Sequence, residues 1–301
     1  MSVNPLNRNI IYRDVHFNTK FRDSYETTSS TNFVFSLSNS LDKVTSIKLS
    51  SLSIPKTSYL VTAEKKNNSF IAEYVTPTNI IRKKVTINDG NYTPAQMEAE
   101  IRSKILKTMP YYYYLSITIN DSSKKTSIDT NVSLPGTMAS TTSTYFNIIF
   151  CEENNDKMKT LGWLLGFRKE KYTNINTIAD SSSEVISEGL YDEIGEDHIF
   201  FCLNDYNRNS TSNQLVYLNN NTSIVGGVLA KVYLKDGKYV VNIEQNEDNI
   251  INYSRTRQFF GPVTIKKIGI SILDEYGNEI NLNNMDYSFT IEVSQLYSAC
   301  V

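Results

Sequence analysis

Histidine, cysteine and tryptophan are scarce in this chain, and each scarcity narrows the chemistry open to it. The histidines are His16 and His198 alone. His16 lies in a polar leader, and His198 follows Glu196-Asp197 just ahead of a strand. Neither has a G-x-S-x-G or comparable signature nearby, so a histidine-based triad has little to build on. The three cysteines, Cys151, Cys202 and Cys300, are odd in number and far apart, with no CxxC spacing. They predict synthesis in a reducing cytoplasm without structural disulfides. There is no N-terminal apolar h-region, and no apolar run approaches the ~20 residues that a helix needs to cross a bilayer. An excess of one charge is lacking too. Thirty basic residues face 32 acidic ones for a net charge of −2, which argues against nucleic-acid binding by bulk charge.

Motifs for bound cofactors are equally thin. No P-loop, G-x-G-x-x-G, H-E-x-x-H or EF-hand loop occurs, so neither cofactor nor metal is expected. Paired carboxylates stand at Glu152-Glu153, at Asp192-Glu193 with Glu196-Asp197, and at Asp274-Glu275. Each has the residues for a glycosidase pair or a Ca²⁺ ion, and each is also what an ordinary turn contains. The short basic runs Lys65-Lys66, Arg82-Lys83-Lys84 and Lys124-Lys125 read as loop or edge-strand charges.

What is abundant is tyrosine, 20 residues, beside 13 phenylalanines, in a background rich in Asn, Ser and Thr. Tyr suits protein interfaces, because its ring is apolar at one end and hydrogen-bonding at the other. It also suits strands, and AT-rich coding would raise it without selection. Asn, Ser and Thr favour turns and strand ends over helix interiors.

Along the chain, residues 1–31 are polar and mildly basic through Arg8, Arg13, Lys20 and Arg22, and read as an extended arm. Phe33, Phe35 and Leu37 alternate as a strand. Ile47 and Leu49, then Leu52 and Ile54, alternate across a one-residue slip that predicts a bulge, and Pro55 stops the ladder. Strands are expected at 69–75 and 80–87. One helix is well signalled at 94–107: Thr93 as N-cap, Pro94 at N1, Gln96 at N3, and an apolar stripe of Met97, Ile101 and Ile105. Strands follow at 111–119 and 145–151, around a Ser/Thr-rich stretch at 121–144. The glycines in Leu161-Gly-Trp-Leu-Leu-Gly-Phe-Arg168 predict a compact helical turn. Residues 169–198 read as a surface loop, 199–203 as a strand, and 228–234 with 238–243 as a hairpin about Asp236-Gly237. A long strand over 263–272 slips near Lys267. After a turn at 274–278, Ile280 and Leu282 return, and Tyr287, Phe289, Ile291 and Val293 alternate strictly. The expected fold is mainly β: an antiparallel β-sandwich, with jelly roll as the leading topology, one helix and long polar loops. Its layout is an arm over 1–31 and a single domain over 32–301.

Five segments in one order resemble a known family. They are Phe21-Arg-Asp-Ser-Tyr25 through Phe33-Val-Phe-Ser-Leu37; Val44 through Pro55; Ile87-Asn-Asp-Gly-Asn-Tyr-Thr-Pro94; Leu161 through Arg168; and Gly261-Pro-Val-Thr-Ile265 through Asp274-Glu-Tyr-Gly-Asn278 to Leu282-Asn-Asn-Met-Asp-Tyr-Ser-Phe-Thr-Ile291. Their wording is similar to minor capsid proteins of nucleo-cytoplasmic large DNA viruses, of the giant-virus and algal-virus kind. The resemblance implies a jelly-roll shell component without catalytic residues. It would sit at the vertices as a penton, with a homo-pentamer, or as a cement protein beneath the major capsid array. Its partners would then be the major capsid protein and other minor capsid proteins, in virions assembled in the host cytoplasm.

The candidate contact residues are Arg13, Arg22 and Tyr25 in the arm, Trp163 and Phe167 in the helical turn, and Arg255, Arg257, Phe259 and Phe260 before the long strand. Paired arginines beside aromatics can anchor an interface or sit in a salt-bridged strand edge. Deleting residues 1–25 is expected to leave a folded core. Two rival readings remain: a carbohydrate-binding β-sandwich used in host attachment, and a hydrolase using carboxylates such as Asp192 and Glu196.

Overall fold

A computed structural model describes residues 10–109, 115–129, 145–152, 156–176, 184–207, 227–241 and 256–297. The chain opens with β1 (Ile10–Asn18) and β2 (Asn32–Pro55). Next come β3 (Ser69–Val75), β4 (Ile80–Thr86), α1 (Pro94–Thr108), β5 (Ser116–Ile119), β6 (Thr126–Asp129), β7 (Tyr145–Ile149), α2 (Leu161–Leu164), β8 (Lys171–Asn176) and β9 (Val185–Ile186). It closes with β10 (His198–Asn204), β11 (Val228–Lys235), β12 (Lys238–Val241), β13 (Thr256–Leu273) and β14 (Ser288–Leu296). The protein is mainly β, and every strand pairing among the described residues is antiparallel.

The chain divides into two compact units, Met1–Ser58 with Glu196–Val301, and Tyr59–Gly195. This differs from the single domain expected over 32–301. Nothing in composition marks the join, since the second unit is inserted between β2 and β10 and carries the same mixture of residues.

In the first unit the strand order is β1-β14-β2-β12-β11-β10-β13, and β2 also pairs with β13. The ladder therefore returns to β2, and five strands close on one another while β14 and β1 extend outward. The 24 residues of β2 make this possible. Its first part, around Phe33 and Phe35, pairs with β13, and its last part, Leu52 to Pro55, pairs with β12. The expected slip is a bulge: Leu49 faces Ile291 and Ser51 faces Thr290, so Ser50 is the extra residue. A second slip falls between Ile265 and Lys267 in β13. Alternation along β2, β13 and β14 delivers Phe33, Ile47, Leu49, Leu52, Ile54, Ile268, Ile270, Ile272, Phe289, Ile291 and Val293 to one buried core. The β11–β12 hairpin turns on Asp236 and Gly237, both at positive φ, as a two-residue turn matched to strand twist requires.

β1 corrects the reading of residues 1–31 as an arm. It pairs with β14 over nine consecutive positions, and Phe17 joins the core, stacked on Phe289 with centroids 5.0 Å apart. Deleting 1–25 would therefore remove a strand and part of the core. Ile280 and Leu282 are buried as expected, but they do so from outside any strand, with only a bridge from Glu279 to Leu273.

The second unit has a four-stranded sheet, β4-β3-β7-β8, and a three-stranded sheet, β5-β6-β9. Helix α1 lies against β5 and β4. Thr93 and Gln96 form the full capping box, and Met97, Ile101 and Ile105 are buried. These join Phe70, Ala72, Ile117, Ile128, Phe146 and Ile148 in a second core. α2 is the expected helical turn; Gly162 is there because a Cβ would fall 2.3 Å from Phe150 Cγ. The expected loop at 169–198 contains β8 and β9. The Tyr run at 111–114, most of 121–144, the loops at 208–213 and 219–221, the end of the second hairpin strand at 242–243, and Cys300 lie outside the described residues.

Candidate interaction surface

The sequence offered nine contact residues, and the structure spends several of them internally. Arg22 is the clearest case. Its Nη1 donates to Asp286 Oδ1 at 2.8 Å and to the Thr19 carbonyl at 2.9 Å. Its other nitrogens reach the Thr28 and Tyr25 carbonyls. The guanidinium also lies 3.9 Å from the Tyr25 ring centroid, a cation–π contact. Asp286 accepts further bonds from Thr19 Oγ1 at 2.7 Å and Tyr25 OH at 3.0 Å. Burial alone would raise the Asp286 carboxyl. The Thr19 and Tyr25 hydrogen bonds and the Arg22 charge outweigh it and hold the group below its ordinary 3.8. Arg22 is thus a buried tie between the segment after β1 and the segment before β14. Tyr25 shares that tie but stays about half exposed.

Arg257 is likewise buried. Its Nη1 donates to Asp205 Oδ2 at 2.7 Å, and the two side chains are 7% and 1% exposed. Nη2 reaches the Gly227 carbonyl at 3.3 Å, and Nε has no partner among the described residues. Of the two readings weighed for this arginine, the ion pair is the one the structure contains, and both of its side chains are buried. Phe259 is in the first core, so it too is corrected from contact to packing. Arg255 lies outside the described residues.

Phe167 is 1% exposed and stacks on Phe150 with centroids 4.9 Å apart. Trp163 is half-buried, capped by the Arg168 guanidinium at 4.0 Å. The candidates left facing solvent are Arg13 and Phe260, with Tyr25 about half exposed. Phe260, 75% exposed, stands in the stretch 259–262, where β13 swells between Gln258 opposite Ser46 and Val263 opposite Val44. The swelling lifts the ring off the ladder.

The carboxylate pairs resolve into turn and surface roles. Asp192 accepts from the Ile194 and Gly195 amides. Asp274 accepts from the Tyr276 and Asn278 amides. Glu152 pairs with Arg82 at 2.7 Å. Glu73, unremarked in the sequence, is buried on β3, bonded by Asn147 Nδ2 at 3.0 Å and Lys171 Nζ at 3.2 Å. Burial raises it, but those bonds and the charges of Lys171 and Arg82 prevail and lower its pKa. His198 contacts Asp197 through Nδ1. Among the described residues no group of three His, Cys, Asp or Glu side chains could hold a metal ion. Cys151 and Cys202 are buried; burial pushes the Cys202 thiol up to about 12, against the Arg257 charge. No helix among the described residues is long and apolar enough to cross a membrane.

Two solved structures superpose on this chain over most of its length. The mavirus penton protein superposes with a TM-score of 0.48 at 12% identity, covering 94% of this chain and 98% of its own. A chain of the Sputnik virophage cryo-EM structure superposes at 0.44 and 11% identity, covering 95% and 98%. No protein-family model matches the chain, and no curated protein matches it significantly. At such identities the reading of function rests on the chain's own residues.

The sequence missed Asp286, Asp205, Glu73 and β1. For β1 a signal existed: Val15 and Phe17 alternate with Asp14 and His16. For the three carboxylates there was none, because each acquires its partner across the fold.

Proposed function

We propose that this chain is a structural component of a virus shell that works by packing against other protein subunits and performs no catalysis. The observation that carries the reading is where the five family-like segments fall. They form the Arg22 tie and the start of β2, the bulged end of β2 at Pro55, the turn into the capped helix α1, the α2 turn, and the two strands β13 and β14 that each pair with β2. The resemblance therefore follows the joints that give each unit its shape.

A contact protein needs stiff bodies and anchors. The two cores supply stiffness, and Phe260 and Tyr25 are aromatic anchors of the kind that dominate interface energetics. The finer placement follows the resemblance: a minor capsid position, as a penton at the vertices or as cement beneath the major capsid array, with the major capsid protein and other minor capsid proteins as neighbours. A penton would have heterologous contacts around a five-fold axis. Assembly would take place in the host cytoplasm.

Mass spectrometry of purified particles, followed by cryo-EM, tests this. The chain should be present in the shell at a fixed copy number. Five copies around an axis mean a penton, and copies between hexagonal arrays mean cement. Purified particles lacking the chain would overturn the proposal.

A further inference from the structure

We propose that the outer edge of β1 is a self-association edge, on which a second copy of this chain lays its own β1 antiparallel, about a two-fold axis through Val15.

Among the described residues β1 ends its sheet and is paired on one side only, with β14. Those nine pairs run without a register shift, so the other side presents a straight row of backbone donors and acceptors. Natural edges of that length are blunted by charged side chains, above all lysine, by proline or by a bulge. The segment IIYRDVHFN has no lysine, proline or bulge, and its two formal charges, Arg13 and Asp14, are of opposite sign, so a second copy can pair with them where a foreign strand would not. The end strands of the four-stranded sheet are blunted: β4 carries Arg82-Lys83-Lys84, and β8 has an extra residue between Tyr172 and Ile175, opposite Ile148 and Phe146 of β7, with Asn174 at φ 59°.

The sequence of β1 chooses both the occupant and the register. Phe17 is buried and Val15 packs against the core, while Tyr12, Asp14 and His16 are exposed on the opposite face. A two-fold axis normal to the sheet keeps faces together, so one residue must oppose its own copy. An axis through Arg13 sets arginine against arginine, and one through Asp14 sets aspartate against aspartate. An axis through Tyr12 or His16 shortens the pairing. Through Val15, every residue from 12 to 18 finds a partner. Asp14 meets the second copy's His16, and His16 meets its Asp14. Arg13 meets Phe17, Tyr12 meets Asn18, and no like charges are opposed. Asp14 gains from this arrangement, because its neighbour on β14 is Glu292, and like charges directly across a ladder repel. His16 Nδ1 lies 3.2 Å from Thr290 Oγ1; in the tautomer in which Nδ1 accepts from that hydroxyl, Nε2 carries the hydrogen that the second copy's Asp14 carboxylate accepts.

The inference does not depend on the shell reading and is tested on the isolated full chain. Sedimentation equilibrium should show a concentration-dependent dimer. Asp14→His sets histidine against histidine, and His16→Asp sets carboxylates together. Each should weaken dimerisation by up to about tenfold, and the double exchange should restore it. In a Cys300→Ser background, Val15→Cys should form an inter-chain disulfide on mild oxidation. Asp14→Cys should not, since its copies are offset by two residues and too far apart to bridge. Unchanged melting temperatures would show that the fold is intact. A chain monomeric at all concentrations overturns the proposal. So does a dimer that is indifferent to both single exchanges, or one that cross-links equally well through either cysteine.

Discussion

Arg22 and Asp286 are 264 residues apart in sequence and 2.8 Å apart in space, with side chains 4% and 12% exposed. The contact ties the segment after the first strand to the segment before the last. A buried pair of this kind is costly to break, because the surviving charge keeps its desolvation penalty and loses its partner.

Asp286→Ala should therefore destabilise the protein by about 3–5 kcal/mol at neutral pH. The pH dependence has a definite sign. The Asp286 carboxyl titrates below its ordinary 3.8 when folded, so its contribution is complete above that value and is lost as pH falls through the lower folded one. Urea unfolding of wild type and Asp286→Asn should give a stability gap that is constant above about pH 5 and narrows only in stronger acid. A gap that closed near neutrality would assign the effect to another group.

For Arg257, removing Asp205 leaves a buried guanidinium whose Nε already lacks a partner among the described residues. Asp205→Ala should cost about 3–5 kcal/mol, and replacing both residues by apolar ones of similar volume should cost clearly less. A double-mutant cycle by chemical denaturation measures the difference. Equal losses in the single and double variants would contradict the account.

Gly162→Ala probes the second core. The added methyl would overlap the Phe150 ring, which is stacked on Phe167. Overpacking of this order costs about 1–3 kcal/mol. Pairing it with Phe150→Leu should recover part of the loss, seen as a partial return of the denaturation midpoint.

Removing residues 1–18 takes away β1 and the Phe17 ring. Loss of a large buried aromatic alone is worth about 3–5 kcal/mol, so this truncation should melt well below the full chain. A melting temperature equal to wild type would mean that β1 adds nothing.

Phe260→Ala should change stability by no more than about 0.5 kcal/mol, as expected for an exposed position. Under the shell reading it should lower incorporation into particles, scored as the ratio of this chain to major capsid protein in purified virions.

Much of the local structure was legible from short-range chemistry. The α1 capping box, its Met97-Ile101-Ile105 stripe, the Ser50 bulge, the Lys267 slip and the Asp236-Gly237 hairpin depend on residues within a few positions of one another. Steric and hydrogen-bonding preferences at that range are strong. The candidate contact residues fared differently. Arg22, Phe167, Arg257 and Phe259 have the composition of an interface, but the same guanidinium or ring serves equally well in an interior. Which use is made of it depends on whether an aspartate or a core arrives from far along the chain.

Alternation of apolar and polar residues by itself determined that this protein is mainly β, where most strands begin and bend, and that one helix interrupts them. These follow from the two-residue period of a strand, which any segment carries alone. Only the tertiary structure decided that the chain folds as two units, that β2 pairs on both sides with partners more than 180 residues away, and that Arg22 and Arg257 are buried while Phe260 is not. Such choices belong to contacts between distant segments, whose entropy of closure is repaid only when the whole sheet forms.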